Sequence, residues 1–197
     1  MTINYPNKKI INKEDNTKIS QARGMLFEHE LNESNKYYLI QDRAVIYKKP
    51  TPIQIARVEY PKRAKAKIVE AYYQAPSTTD YNGIYRGKYI DYEAKQISLL
   101  SFNYELISKH QVDHLLRVDK HGGIAFVIIY FKSIDKVYLI DIKDFNKFYS
   151  DACSGSKKKS LKASEIIDVY NGKEAKISYA PRINYLDAVD EMYFKND

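Results

Sequence analysis

Apolar and polar positions change their period several times along this chain, and each change marks an element. From Gly24 to about residue 41, Met25, Leu26, Glu28, Leu31 and Tyr38 fall at helix-like spacing, which predicts a first helix. Residues 1–22 before it are polar and aperiodic, the pattern of a flexible tail. Ala44 to Tyr47 reads as a short strand, and Lys48-Lys49-Pro50-Thr51-Pro52 closes it with a stiff exit. A hairpin is predicted over about 78–95, with turn signals at Asn82-Gly83 and Arg86-Gly87. A helix over about 103–120 follows, then two buried strands, Ile124–Phe131 and Val137–Ile142. Short helices near 163–171 and 184–194 complete the outline. Strands alternating with helices predict an α/β fold built on a mixed sheet.

The length of 197 residues suits one well-packed domain, expected over 23–197, with an excursion at about 48–76. The longest apolar run, Ile124–Phe131, is too short to span a bilayer, and the N-terminus lacks the apolar stretch of a secretory signal. A single cysteine, Cys153, allows no internal disulfide, and a reducing cytoplasm is the expected compartment. Thirty-two Lys and Arg against 25 Asp and Glu leave a net charge of +7. Such a balance favours polyanions, although a Lys-, Asn-, Ile- and Tyr-rich composition also arises from AT-rich coding, so charge alone does not assign nucleic-acid binding.

Between Pro50 and Pro76 the basic residues Arg57, Lys62, Arg63, Lys65 and Lys67 are interleaved with Tyr60, Tyr72 and Tyr73. This stretch has few core-like runs and reads as a projection from the body. Its cations suit phosphates and its tyrosines suit stacking, while a solvated surface excursion has the same composition.

The hairpin carries the candidate chemistry. With Arg86-Gly87 as a two-residue turn, Tyr85 pairs with Lys88, which sets Asp80 opposite Glu93 and Thr78 opposite Lys95. Side-chain alternation then places all four on one face. Directly opposed Cβ atoms lie roughly 4.5–5.5 Å apart. Two carboxylates so placed repel by about 1–3 kcal/mol at intermediate dielectric, unless a cation sits between them. Mg²⁺ suits, because it takes hard oxygen ligands and keeps waters. Lys95 adds a fixed positive charge where a phosphodiester becomes more anionic. A turn at Asn82-Gly83 would shift every pairing, and Asp91, on the same strand face as Glu93, would be the substitute ligand. His110 and His114, four residues apart, could bind Zn²⁺, but no nearby Cys or Glu completes a set.

The hairpin, together with Lys-Lys-Pro-Thr-Pro-Ile-Gln-Ile (48–55), Tyr-Pro-Lys-Arg (60–63) and Ala-Pro-Arg-Ile-Asn-Tyr (180–185), resembles the RecU family of Holliday junction resolvases from about Arg23 to Phe194. The resemblance implies a restriction-endonuclease-like mixed β-sheet flanked by helices, with a projecting stalk at 48–76. It implies a cytoplasmic homodimer that makes paired, symmetric nicks in four-way DNA junctions during recombination and repair, with Mg²⁺ as cofactor. The family's metal ligands fall on Thr78, Asp80, Glu93 and Gln111, and its transition-state lysine on Lys95. Arg57, Lys62, Arg63, Lys65 and Lys67 become expected DNA contacts. Glu28 matches an acidic position that would support the site from behind the metal ligands, Asp91 is a second candidate for such support, and interplay with a strand-exchange recombinase is implied.

Three departures are visible: the segment from Gln96 to Phe102 is one residue shorter and lacks the usual Lys- and Thr-rich loop with its proline, Ala22 replaces an Asn before Arg23-Gly24, and the basic tail is short. Intact Thr78, Asp80, Glu93 and Lys95 argue against a catalytically silent junction-binding protein, and the altered loop leaves room for a less structure-selective DNA endonuclease.

Overall fold

A computed structural model of the chain describes residues 13–61, 65–74, 78–155 and 158–194, with side chains from Leu26 onward. Helix α1 spans Lys13–Ile40, so it begins earlier than the apolar pattern suggests; the polar residues ahead of Gly24 carry no stripe but continue the helix without a Gly or Pro breaker. Strand β1 (Val45–Lys48) leads into the antiparallel pair β2 (Ile53–Glu59) and β3 (Lys67–Tyr73), and the hairpin is β4 (Tyr81–Tyr85) with β5 (Lys88–Ile97). Beyond it come β6 (Ser101–Asn103), α2 (Lys109–Lys120), β7 (Ile124–Phe131) and β8 (Lys136–Asp141). The chain continues through α3 (Ile142–Cys153), β9 (Ser160–Lys162), α4 (Glu165–Asp168), β10 (Lys173–Ile177), β11 (Ile183–Asn184) and α5 (Tyr185–Tyr193).

Seven strands form one mixed sheet in the order β1-β4-β5-β7-β8-β10-β11, with β5 and β7 parallel and the other pairs antiparallel. The mixed α/β expectation is met. On one face, Phe27, Leu31 and Tyr38 of α1 and Leu186 and Val189 of α5 pack on Ile124, Phe126 and Ile128. On the other, Val112 and Leu115 of α2 and Phe145 and Phe148 of α3 pack on Val127, Ile129 and Phe131. Strand β7 is therefore covered on both faces, which is why its sequence is continuously apolar rather than alternating.

The register of the hairpin is pinned by an aromatic row. Tyr81 pairs with Tyr92 across β4 and β5, and Tyr92 with Phe126 across β5 and β7. The rings stack at centroid separations of 4.8 Å in both pairs. A one-residue slip would drive these rings to the opposite face and expose the row. Arg86 and Gly87 make the turn with φ of 48° and 74°, the doubly positive pattern of a type I′ hairpin.

Asn82-Gly83 is not a turn: Gly83 sits mid-strand, where the backbone of β1 crosses so closely that a Cβ would lie 2.0 Å from the Val45 carbonyl oxygen. Three further differences have plain local causes. Helix α2 starts at Lys109, capped by a box between Ser108 and Gln111, and a 3₁₀ turn at Tyr104–Leu106 precedes it. Helix α3 begins where the second apolar strand was expected to end, because Asp141 caps it by accepting a hydrogen bond from the Lys143 N–H at 2.8 Å. Strands β2 and β3 form a separate two-stranded sheet whose side chains are almost all exposed, as a projection requires.

Candidate metal and nuclease site

Asp80, Glu93 and Lys95 come together on the hairpin. Tyr81 pairs with Tyr92, so Asp80, one residue before β4, stands opposite Glu93. One carboxylate oxygen of Asp80 accepts the Ala94 N–H at 3.0 Å, and the Asp80 carbonyl accepts the Lys49 N–H at 2.8 Å. Glu93 is completely buried. Its Oε1 pairs with the Lys95 ammonium, while its Oε2 is buried with no hydrogen-bond partner among the described residues. A buried carboxylate oxygen left unpaired costs free energy, and beside Asp80 it fits a hard cation.

Burial, then the charge of Asp80, pushes the Glu93 carboxyl from 4.5 up to about 7, with Lys95 and Gln111 pulling the other way. The folded chain therefore holds this proton more tightly than the unfolded chain does. The resulting stability is fully present below about pH 4.5 and is lost as pH rises through about 7. Thermal unfolding without divalent ions is expected to lose stability across that window in the native chain relative to Glu93→Gln. A cation competes with the proton, so its apparent affinity should climb with pH and level off above 7. Identical pH slopes for the two proteins would contradict this assignment.

Gln111, the third residue of α2, faces Glu93 and favours its charged form. Its Oε1 also accepts from the Ser108 N–H at 3.0 Å and the Ser108 hydroxyl at 2.9 Å, so in this state the amide oxygen caps the helix. Thr78 departs from strict alternation, because the chain leaves the strand at Asp80; its exposed hydroxyl accepts from Lys49 Nζ at 3.2 Å. Glu28 pairs with Lys48 at the end of β1, not with Asp80 or Glu93.

Asp91 is fully buried and engaged by Lys49, Thr79, Tyr89 and His114. With the register set by Arg86-Gly87, the role of substitute ligand falls away. The two histidines part company, His110 reaching the Ser108 hydroxyl and His114 reaching Asp91. Among the described residues no group of three or more His, Cys, Asp or Glu could hold a metal ion. A cation here would rest on two carboxylates supplemented by neutral oxygens, a donor set that suits Mg²⁺ rather than Zn²⁺.

Of the expected DNA contacts, Arg57 lies exposed on β2 beside Glu59 at 3.7 Å, and Lys65 and Lys67 are exposed at the start of β3. Lys62 and Arg63 lie outside the described residues. Two site features escaped the sequence reading: Lys49 and His114 as partners of Asp91. The signal for Lys49 is its place one residue past a strand that pairs with β4, visible only once that pairing is known.

Fold and site together define a mixed α/β protein with an Asp, Glu-x-Lys carboxylate hairpin beside the central strand of its sheet. A sequence profile described as RecU, recombination protein U, matches residues 22–191. Proteins named Holliday junction resolvase RecU from Bacillus thuringiensis, Bacillus cereus and Bacillus anthracis are 45% identical over 202 residues, covering 98% of this chain and 100% of theirs. The chain belongs to the RecU family. Among solved structures, a Holliday junction resolvase from Archaeoglobus fulgidus matches with a TM-score of 0.38 at 14% identity, covering 62% of this chain and 75% of that one. Among the described residues no helix is long and apolar enough to cross a membrane.

Proposed function

We propose that this chain is a Mg²⁺-dependent endonuclease that resolves four-way DNA junctions by paired, symmetric nicks, acting as a cytoplasmic homodimer in recombination and repair. The observation that carries this reading is the buried Glu93 opposite Asp80, with one carboxylate oxygen left without a hydrogen-bond partner among the described residues, in a chain alike over its length to named junction resolvases. Asp80 and Glu93 would hold the cation, with Thr78 and Gln111 as neutral donors. When bound, Mg²⁺ polarises a phosphodiester and lowers the pKa of a coordinated water.

Lys95, paired with Glu93 and part-exposed, is free to turn toward the phosphate as its negative charge grows. The hairpin of β2 and β3 presents Arg57, Lys65 and Lys67, and Lys62 and Arg63 join them in the same stretch of chain, a cationic arm for the open centre of a junction. Residues 23–197 would form a single nuclease domain with this stalk inserted at about 48–76. A recombinase that makes such junctions is the fitting protein partner.

Mapping the nicks tests the reaction. On a synthetic four-way junction labelled in turn on each strand, cuts should fall at matching positions on two opposed strands. Cuts on one strand only, or at unrelated positions, would argue against paired resolution by a symmetric dimer.

A further inference from the structure

Asp91 is the most heavily engaged carboxylate among the described residues, and the site described above does not use it as a ligand. It has no exposure to solvent, yet accepts from Lys49 Nζ at 2.8 Å and the Tyr89 hydroxyl at 2.9 Å, contacts His114 Nε2 at 3.0 Å, and accepts from the Thr79 hydroxyl. These partners come from four places: the residue after β1, the segment before β4, β5 itself, and α2. A buried carboxylate with this many donors is held in one rotamer.

Lys49 is the other half of the arrangement. Its ammonium reaches the hydroxyls of both Thr78 and Thr79 as well as Asp91, and its backbone N–H bonds the Asp80 carbonyl. The segment Thr78–Asp80, which lies outside any strand, is thus fastened at each of its three residues by one lysine. Through His114, one turn beyond Gln111, the same carboxylate ties down α2. The Thr78–Asp80 segment and α2, which carry the neutral donors of the proposed site, both tie to Asp91, two residues from Glu93 in the strand.

We infer that Lys49 and Asp91 form a positioning pair that sets the Thr78–Asp80 segment and α2 against Glu93, and that Lys49 keeps Asp91 from entering the coordination of the metal. The inference rests on the metal-site reading given under Proposed function. Outer partners of metal ligands act in this way by fixing orientation. Without the ammonium, Asp91 is a buried carboxylate with a cation site close by, and it would draw that cation into the wrong geometry.

The test uses the full chain with Lys49→Met, Lys49→Arg, Asp91→Asn, the double variant Lys49→Met/Asp91→Asn, and Asp80→Asn as a control. Mn²⁺ binding is read by electron paramagnetic resonance without DNA, junction affinity in chelator, and single-turnover cleavage at saturating junction with Mg²⁺. Lys49→Met should lower the cleavage rate and Mn²⁺ affinity by about 10–100-fold while junction affinity in chelator is unchanged. Lys49→Arg should recover most of the rate, because it keeps the charge and the donors. The double variant should cleave faster than Lys49→Met alone, since no carboxylate is left to draw the cation away from Asp80 and Glu93.

A loss confined to junction affinity would make Lys49 a phosphate contact and overturn the inference. So would unchanged Mn²⁺ binding with lowered thermal stability, which marks a purely structural pair. If Lys49→Met does not fold, Asp91→Asn carries the same comparison, with weakened Mn²⁺ binding and intact junction affinity expected, and normal Mn²⁺ binding overturning. Retained cleavage by Asp80→Asn would sink the metal-site reading itself. A dead Asp80→Asn beside a native-like Lys49→Met would sink only the positioning pair.

Discussion

Asp80→Asn and Glu93→Gln should each reduce cleavage of a four-way junction to background while leaving junction binding intact or tighter. The loss should exceed the roughly 10–100-fold typical of outer partners of a metal site, because each substitution removes a charged group from the proposed ligand set. Both variants keep their shape. An Asn at position 80 can still accept the Ala94 N–H with its amide oxygen, and a Gln at 93 is isosteric with the carboxylate that Lys95 now contacts. Binding should not suffer, because each change removes a negative charge from a surface that must receive phosphates. Glu93→Gln should also stabilise the metal-free protein above about pH 7, where the native carboxylate is charged and buried. Cleavage at native rates by either variant, measured under single turnover with Mg²⁺, would remove the basis of the site.

Gly83→Ala is expected to be among the most damaging single-atom-scale changes available to the fold. A methyl group there meets the Val45 carbonyl oxygen at 2.0 Å and the Ile46 Cα at 2.6 Å, both backbone atoms with nowhere to rotate. Strand β1 must lift away from β4, breaking the pairing that runs from Val45–Ile84 to Lys48–Tyr81. A loss of about 3–5 kcal/mol, at the large end for a single substitution, should appear in chemical denaturation. Because Lys49 follows β1 directly and bonds the Asp80 carbonyl, cleavage should fall even at temperatures where the variant remains folded. Gly87→Ala is the contrast: open space surrounds that position, and only its φ of 74° is strained, for about 1–2 kcal/mol. Equal costs for the two substitutions would contradict the close crossing of β1 over β4.

What could be read in advance followed from periodicity and from one turn. The continuous apolar run at 124–131 announces a strand buried on both faces, and it is one. Arg86-Gly87 sets the hairpin register, and with it the opposition of Asp80 and Glu93. Where reading failed, tertiary contacts had overridden local signals. Asn82-Gly83 has turn chemistry, yet its glycine serves close backbone approach. Helix α3 was hidden because its first residue, Ile142, continues the apolar run of β8 across the cap at Asp141. Gln111 came from family resemblance alone, and its amide oxygen is held by the box it forms with Ser108. The ties among Lys49, Asp91 and His114 join positions up to 65 residues apart, counting from 49 to 114, and no local pattern encodes them.

The central claim is that a metal held by Asp80 and Glu93 cuts branched DNA. The most direct measurement is cleavage of a synthetic four-way junction beside a linear duplex of the same sequence, each with Mg²⁺ and with chelator. Nicking of the junction alone, and only with Mg²⁺, is the result expected. Cleavage that persists in chelator, or that is as fast on the duplex as on the junction, would contradict it.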